Sequence, residues 1–159
     1  MMMPSVISFK PRKKQSGFTL VEIIVVVAII SLLAAVAVPA YISFIQRAKE
    51  TAIVAYLGKV KKAQETHRLE NAADRYSGSF DELETTGFVE GAVGAATRVA
   101  NEYQLDLSAG VSSGEPFWNI LADPLSLNPK ARHFYIDQTG ILRFAVGAPA
   151  GPGSQSMAP

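Results

Sequence analysis

The hydrophobic positions of the chain change their spacing along its length. From Ile23 to Ile45 there are 23 residues without a charge, dominated by Ile, Val, Leu and Ala. As a helix rising about 1.5 Å per residue, such a run is ~35 Å long, enough for a hydrocarbon core of ~30 Å. Charges return at Arg47, Lys49 and Glu50, and apolar residues then recur at Ile53, Leu57, Val60 and Ala63, flanked by Ala52 and Tyr56. That is helical spacing, with one apolar stripe and a charged remainder. No proline follows Pro39 in this stretch. One helix is therefore expected from Thr19 to Leu69, apolar all round in its first half and one-sided in its second.

Beyond Arg75 the pattern is that of a small head. Ser79-Phe80-Asp81-Glu82 has the Ser-x-x-Glu form of a capping box, opening a short helix that Gly87 would end. Gly91–Ala100 is rich in small residues and is expected to be irregular. Tyr103, Leu105 and Leu107 alternate with polar residues, as in a half-buried strand. Ala109–Glu115 reads as a Gly/Ser loop, and Phe117, Trp118, Ile120 and Leu121 supply core bulk before turns at Asp123-Pro124 and Asn128-Pro129. From His133 to Phe144 two β-rich runs flank Asp137 and Gly140, the favoured first and fourth residues of a type I turn, which predicts a hairpin. Residues 147–159 are broken by Pro and Gly, and a flexible tail is expected there.

The start of the long helix carries the candidate chemistry. Lys10, Arg12, Lys13 and Lys14 form a basic cluster ahead of the apolar run, which should hold that end in the cytoplasm. Between them lies Gly17-Phe18-Thr19-Leu20-Val21-Glu22, with the lone acid Glu22 at the head of the apolar segment. An ionisable group in such a segment is a functional candidate by default. A cleaved secretory signal and a plain anchor share this layout. Against the first, the uncharged run exceeds the usual ~7–15 residues of a signal core, and no small-x-small site ends it.

The basic leader, Gly17, Phe18, Thr19, Leu20 and Glu22, together with Pro39 and Tyr41, resemble the amino terminus of type IV pilins and their relatives over about the first 50 residues. Ser31 departs from the pattern, standing where many members have Gly. The resemblance implies cleavage between Gly17 and Phe18 by a prepilin peptidase that also methylates the new amine of Phe18. Residues 1–17 would be leader, 18–45 the transmembrane and assembly helix, 46–75 an amphipathic stem, 76–146 the head and 147–159 the tail. It implies an α+β fold, the long helix packed on a small antiparallel sheet. The implied function is structural: a pilus subunit that waits in the inner membrane with its head outside the cytoplasm, and is moved by an assembly platform into an extracellular filament of identical or homologous subunits. Glu22, Phe18 and Pro39 would serve assembly, with Glu22 pairing the Phe18 amine of an adjacent subunit. Pro39 can be read as a passive kink or as the point where the helix extends in the filament. The rivals are a minor pilin, a type II secretion pseudopilin, and a membrane-anchored binding domain that does not polymerise.

Composition narrows the chemistry further. With 159 residues the chain has room for one domain and its anchor, and with no cysteine it has no disulfide, thiolate metal site or Cys nucleophile. Many pilins close their last loop with a disulfide, so this is a departure. Without the four leader cations 11 basic and 14 acidic residues remain, a net charge of −3, split into a basic stem and an acidic head. Nothing in that balance points to nucleic acid. Gly110-Val111-Ser112-Ser113-Gly114 fits Gly-x-Ser-x-Gly, but Pro116 and flexible flanks argue for a loop rather than a nucleophile elbow. His67 and His133 suit packing better than ligation. Asp106, Asp123 and Asp137 do not form a calcium loop, and the Trp-Gly and Pro-Tyr-x-Tyr region of calcium-binding pseudopilins has no counterpart. No catalytic residue, metal or cofactor is expected, and no enzyme.

Overall fold

The computed structural model describes residues 17–89, 97–126 and 128–157. The leader cations and the first part of Gly91–Ala100 lie outside them. The long helix α1 spans Leu20–Glu70, beginning and ending one residue later than the expected 19–69. The chain divides into two units, Met1–Tyr41 and Ile42–Pro159.

In the first unit, every residue from Gly17 to Tyr41 is exposed. Mean hydropathy reaches 3.0 in this helix, which is long and apolar enough to cross a membrane. Ser31 turns its hydroxyl back to the carbonyl of Val27 at 2.8 Å, so this polar side chain in mid-run is satisfied by its own helix. The helix continues unbroken through Pro39, although proline has no N–H for the carbonyl one turn earlier.

In the second unit, Ile53, Leu57, Val60 and Ala63 are all fully buried, the stripe that the helical spacing predicts. They share a core with Phe80, Leu83, Tyr103, Leu105, Trp118, Ile120 and Phe134. A short helix α2, Phe80–Glu84, opens on Ser79, whose side chain accepts from the Asp81 N–H. The reciprocal half of the expected capping box is replaced: Glu82 accepts from the Ser77 hydroxyl at 2.6 Å, and the Ser79 N–H donates to Ser77 Oγ instead. Buried Gln64 completes this corner by clamping the Ser77 backbone from both sides, at 2.8 and 3.0 Å.

Six strands follow among the described residues: β1 Thr97–Ala100, β2 Tyr103–Ser112, β3 Glu115–Pro124, β4 Arg132–Asp137, β5 Arg143–Val146 and β6 Gln155–Ser156. They form one antiparallel sheet in sequence order, so each pairs with its chain neighbour. The α+β expectation holds. The predicted hairpin is β4–β5, with the Gly140 N–H on the Asp137 carbonyl at 2.8 Å and the Asp137 carboxylate accepting from the Thr139 N–H at 2.9 Å. Gly140 sits at φ +73°, and a Cβ there would also strike the Lys61 ammonium reaching over from α1.

Three expectations give way. Thr97–Ala100 is a strand, paired from Thr97↔Asp106 to Ala100↔Tyr103. Ala109–Glu115 is not a loop: β2 and β3 stay in register out to Ser112↔Glu115, and the turn is just Ser113-Gly114, both at positive φ (53° and 88°). That is the two-residue turn whose twist suits a hairpin. Gly and Ser disfavour strands only weakly, and a partner across the ladder overrides them. Lastly, the expected flexible tail meets a packed segment. Gln155 and Ser156 pair with Phe144 and Arg143, the Met157 N–H reaches the Leu142 carbonyl at 2.8 Å, and Ala150 is buried.

The basic stem and acidic head meet within the one chain. Lys49 pairs with Glu102 at 2.5 Å, and in the opposite sense Glu50 pairs with Arg132 at 3.6 Å. At the end of α1, Arg68 holds Asp74 at 2.7 Å and lies over Tyr76. That hydrogen bond keeps the Asp74 carboxyl below the usual range.

Two outcomes follow from this packing. Deleting 155–159 removes β6 and the Met157 contact, so the head should lose about 1–2 kcal/mol and melt several degrees lower by circular dichroism; an unchanged melting temperature would show the segment adds nothing. Burial, and then the charge of Glu50, push the Tyr103 hydroxyl up to about 12 from its ordinary 10.0. The unfolded chain thus loses this proton first, and stability should fall as pH rises from about 10 to about 12, by up to ~1.4 kcal/mol per unit. Urea titrations across that range should show a shallower fall for Tyr103→Phe.

Candidate functional site

Of the residues singled out by sequence at the head of the apolar helix, Glu22 stands in its first turn and Gly17 and Phe18 just before it. Gly17 has nothing within 4 Å of where a Cβ would stand, and Phe18 is 85% exposed. The backbone on both sides of the expected cleavage point is therefore open. Pro39 lies seventeen residues beyond Glu22, ~25 Å further along the helix axis, and takes no part in this site.

Glu22 is fastened locally. Its Oε2 accepts from the Thr19 backbone N–H and from the Thr19 hydroxyl, each at 2.8 Å. In return the Glu22 N–H donates to Thr19 Oγ1 at 3.2 Å. This is a reciprocal capping box, which satisfies two of the donors that any helix leaves open at its start. A carboxylate here also faces the positive end of the helix dipole. The arrangement answers how an acid stands at the edge of an apolar run: its charge is directed toward the polar start of the helix, away from the apolar residues that follow.

Thr19 belongs to the motif by sequence, but its hold on Glu22 is what the sequence reading missed. Its signal was present, because Thr19-Leu20-Val21-Glu22 is the same S/T-x-x-E pattern recognised at Ser79. Chemically, the site is a fixed, exposed carboxylate next to a chain segment that cleavage would turn into an amine. An ionised carboxylate has about four lone-pair positions, so the bonds from Thr19 leave Glu22 room to accept a cation from another chain. Phe18 and the apolar faces beyond it stand equally uncovered.

The other candidates are separated by the fold. Asp106, Asp123 and Asp137 lie on β2, β3 and β4, and the described residues hold no cluster of three His, Asp or Glu arranged for a metal ion. Asp123 is paired with His133 at 2.6 Å, and His67 stands 3.8 Å from Glu82; both histidines sit against carboxylates of the head. Ser112 ends β2 and is followed by a turn and another strand, whereas a nucleophile elbow needs a helix after it.

Comparison with known proteins bears on the same region. Residues 12–38 match the prokaryotic N-terminal methylation motif. The chain is 41% identical over 59 residues to the type IV wide pilus major component of Thermus thermophilus, covering 37% of this chain and 45% of that protein. It is 36% identical over 107 residues to the type IV major pilin protein of Myxococcus xanthus, covering 67% of this chain and 42% of that one. A fimbrial protein of Pseudomonas aeruginosa is 45% identical over 58 residues, covering 36% and 38%. The chain thus spans less than half the length of the curated relatives it matches. No solved structure gives a significant match.

Removing the Thr19 hydroxyl tests the cap directly. In Thr19→Val the Glu22 N–H loses its acceptor, and its amide exchange in detergent micelles should quicken about fivefold, the usual worth of an N-cap. An unchanged rate would mean that the start of the helix is held by something other than this pair.

Proposed function

We propose that this member of the type IV pilin family is a structural subunit of a type IV pilus, made as a membrane-anchored precursor and assembled into an extracellular filament. The observation that carries the reading is the wholly uncovered apolar helix from Leu20 to Tyr41, joined to a head whose own core is complete. Such a surface suits lipid before assembly and neighbouring copies of the same helix after it. The methylation motif over residues 12–38 supports a maturation step at its start.

Maturation would cut between Gly17 and Phe18 and methylate the new amine. A prepilin peptidase and an inner-membrane assembly platform are the partners this requires, with the amino-terminal end in the cytoplasm and the head outside it. Leaving the bilayer for the packed centre of a filament, Glu22 meets a lower dielectric and needs a cation. The amine of Phe18 on an adjacent subunit supplies one, and the Thr19 bonds hold the carboxylate in place to receive it. Breaking such a pair by removing one partner leaves the other charge buried and unmatched. Pro39, in a helix that continues through it, leaves one carbonyl without its partner and marks where the helix can open in the filament. The work of the protein is assembly rather than catalysis.

Glu22→Val should accordingly give protein that is cleaved and retained in the membrane, with few or no filaments. Blotting the membrane fraction and the sheared surface material separately decides it: abundant filaments of pure mutant subunit would remove Glu22 from the mechanism.

A further inference from the structure

A cavity of about 310 Å³ opens at the membrane-side end of the head, lined by Arg47, Glu50, Thr51 and Val54 of α1, Arg132 of β4, and Met157. We propose that it binds the phosphodiester headgroup of an anionic lipid, gripped between the guanidinium groups of Arg47 and Arg132. The proposal rests only on the apolar run crossing a bilayer and is independent of filament formation.

Position along the helix is the first argument. Ile45 is the last residue of the uncharged run, and Arg47 follows ~3 Å beyond it, Thr51 ~9 Å and Val54 ~13 Å. The polar layer of a bilayer is ~5–8 Å deep on each side. The Arg47 end of the cavity therefore stands among phosphates whichever way the chain is oriented.

Charge and geometry give the second. Arg132 is pre-set: it lies 5.0 Å above the Phe144 ring and its Nη1 is 3.6 Å from Glu50 Oε2. The Glu50 side chain is only 13% exposed, so this carboxylate offsets one guanidinium and leaves the second in excess. Arg47 is exposed and has no ion pair among the described residues. Thr51 adds no donor, since its hydroxyl is turned to the Arg47 carbonyl at 2.9 Å. The anion is held by the guanidinium pair alone, and planar guanidinium forks match phosphate oxygens well. Val54 and Met157 form the apolar side of the cavity.

The test uses the full chain in nanodiscs of phosphatidylcholine with a minor share of phosphatidylglycerol, released into the gas phase for native mass spectrometry of retained lipid. Wild type should keep one phosphatidylglycerol preferentially. Arg47→Gln should cut that preference about fivefold, and Arg47→Gln with Arg132→Gln of the order of twentyfold. Arg47→Lys should keep most of it. Because the Arg47 side chain is exposed and has no ion pair among the described residues, Arg47→Gln should melt like wild type and keeps the test open even if the double variant unfolds. Equal retention of both lipids, or loss of preference in Lys59→Gln as large as in Arg47→Gln, would overturn the proposal. Inorganic phosphate that stabilises the chain in neutral detergent as well as phosphatidylglycerol does would make this a small-anion site and overturn the lipid assignment. Self-association in phosphatidylcholine alone, lost in Arg47→Gln, would assign the guanidinium pair to a carboxylate of a second copy and overturn it likewise.

Discussion

Apolar surface with nothing to cover it is the constraint on which the molecule depends. Eighteen residues of Ile, Val, Leu and Ala are exposed on every side of the helix from Leu20 to Tyr41, far more than a water-soluble surface carries. Only lipid or other helices of the same kind can take it. From Ile53 onward the same helix meets the opposite condition, since its stripe is fully covered by the sheet. One continuous element thus belongs to two solvents, and the change falls between Ile45 and Ile53, where the charges begin.

Glu22 takes its meaning from that constraint. A carboxylate at the edge of an apolar run is costly unless its charge is answered, and the Thr19 pair answers it with groups the helix start has to satisfy in any case. The same bonds leave the carboxylate fixed in direction. In the proposed filament a partner cation would meet a group already in position, and less side-chain freedom would be lost when the two chains come together.

The head closes without a disulfide. In its place the last strand turns back at Gly151–Ser154, where the Gly151 N–H meets the Ser154 hydroxyl and the Ser154 carbonyl accepts from Arg143. It then lays Gln155 and Ser156 along β5 and sets Met157 against the core. Glu102, in a two-residue turn at positive φ, is tied to Lys49. These contacts fasten both ends of the sheet to the part of α1 that emerges from the apolar run, which is also where the cavity between Arg47 and Arg132 lies.

What the sequence determined by itself is everything written in local spacing. A run of uncharged residues, a stripe at Ile53, Leu57, Val60 and Ala63, a Ser-x-x-Glu helix start and an Asp137-to-Gly140 turn each depend on neighbours within a few positions. They held because helix periodicity and turn chemistry are properties of short segments. Tertiary structure decided the rest. Thr97–Ala100, the Gly/Ser end of β2 and the Gln155–Ser156 strand have weak propensities of their own and exist because a partner strand supplies their hydrogen bonds. Gln64 looked like one more polar residue on a solvated face, until the fold brought the Ser77 backbone against it and buried both. Glu82 accepts from the Ser77 hydroxyl rather than from the Ser79 N–H that its spacing indicated, and Ser77 Oγ takes that N–H instead. In each case a polar group took a partner that the fold brought within reach; for Gln64 and Ser77, both buried, a partner was obligatory.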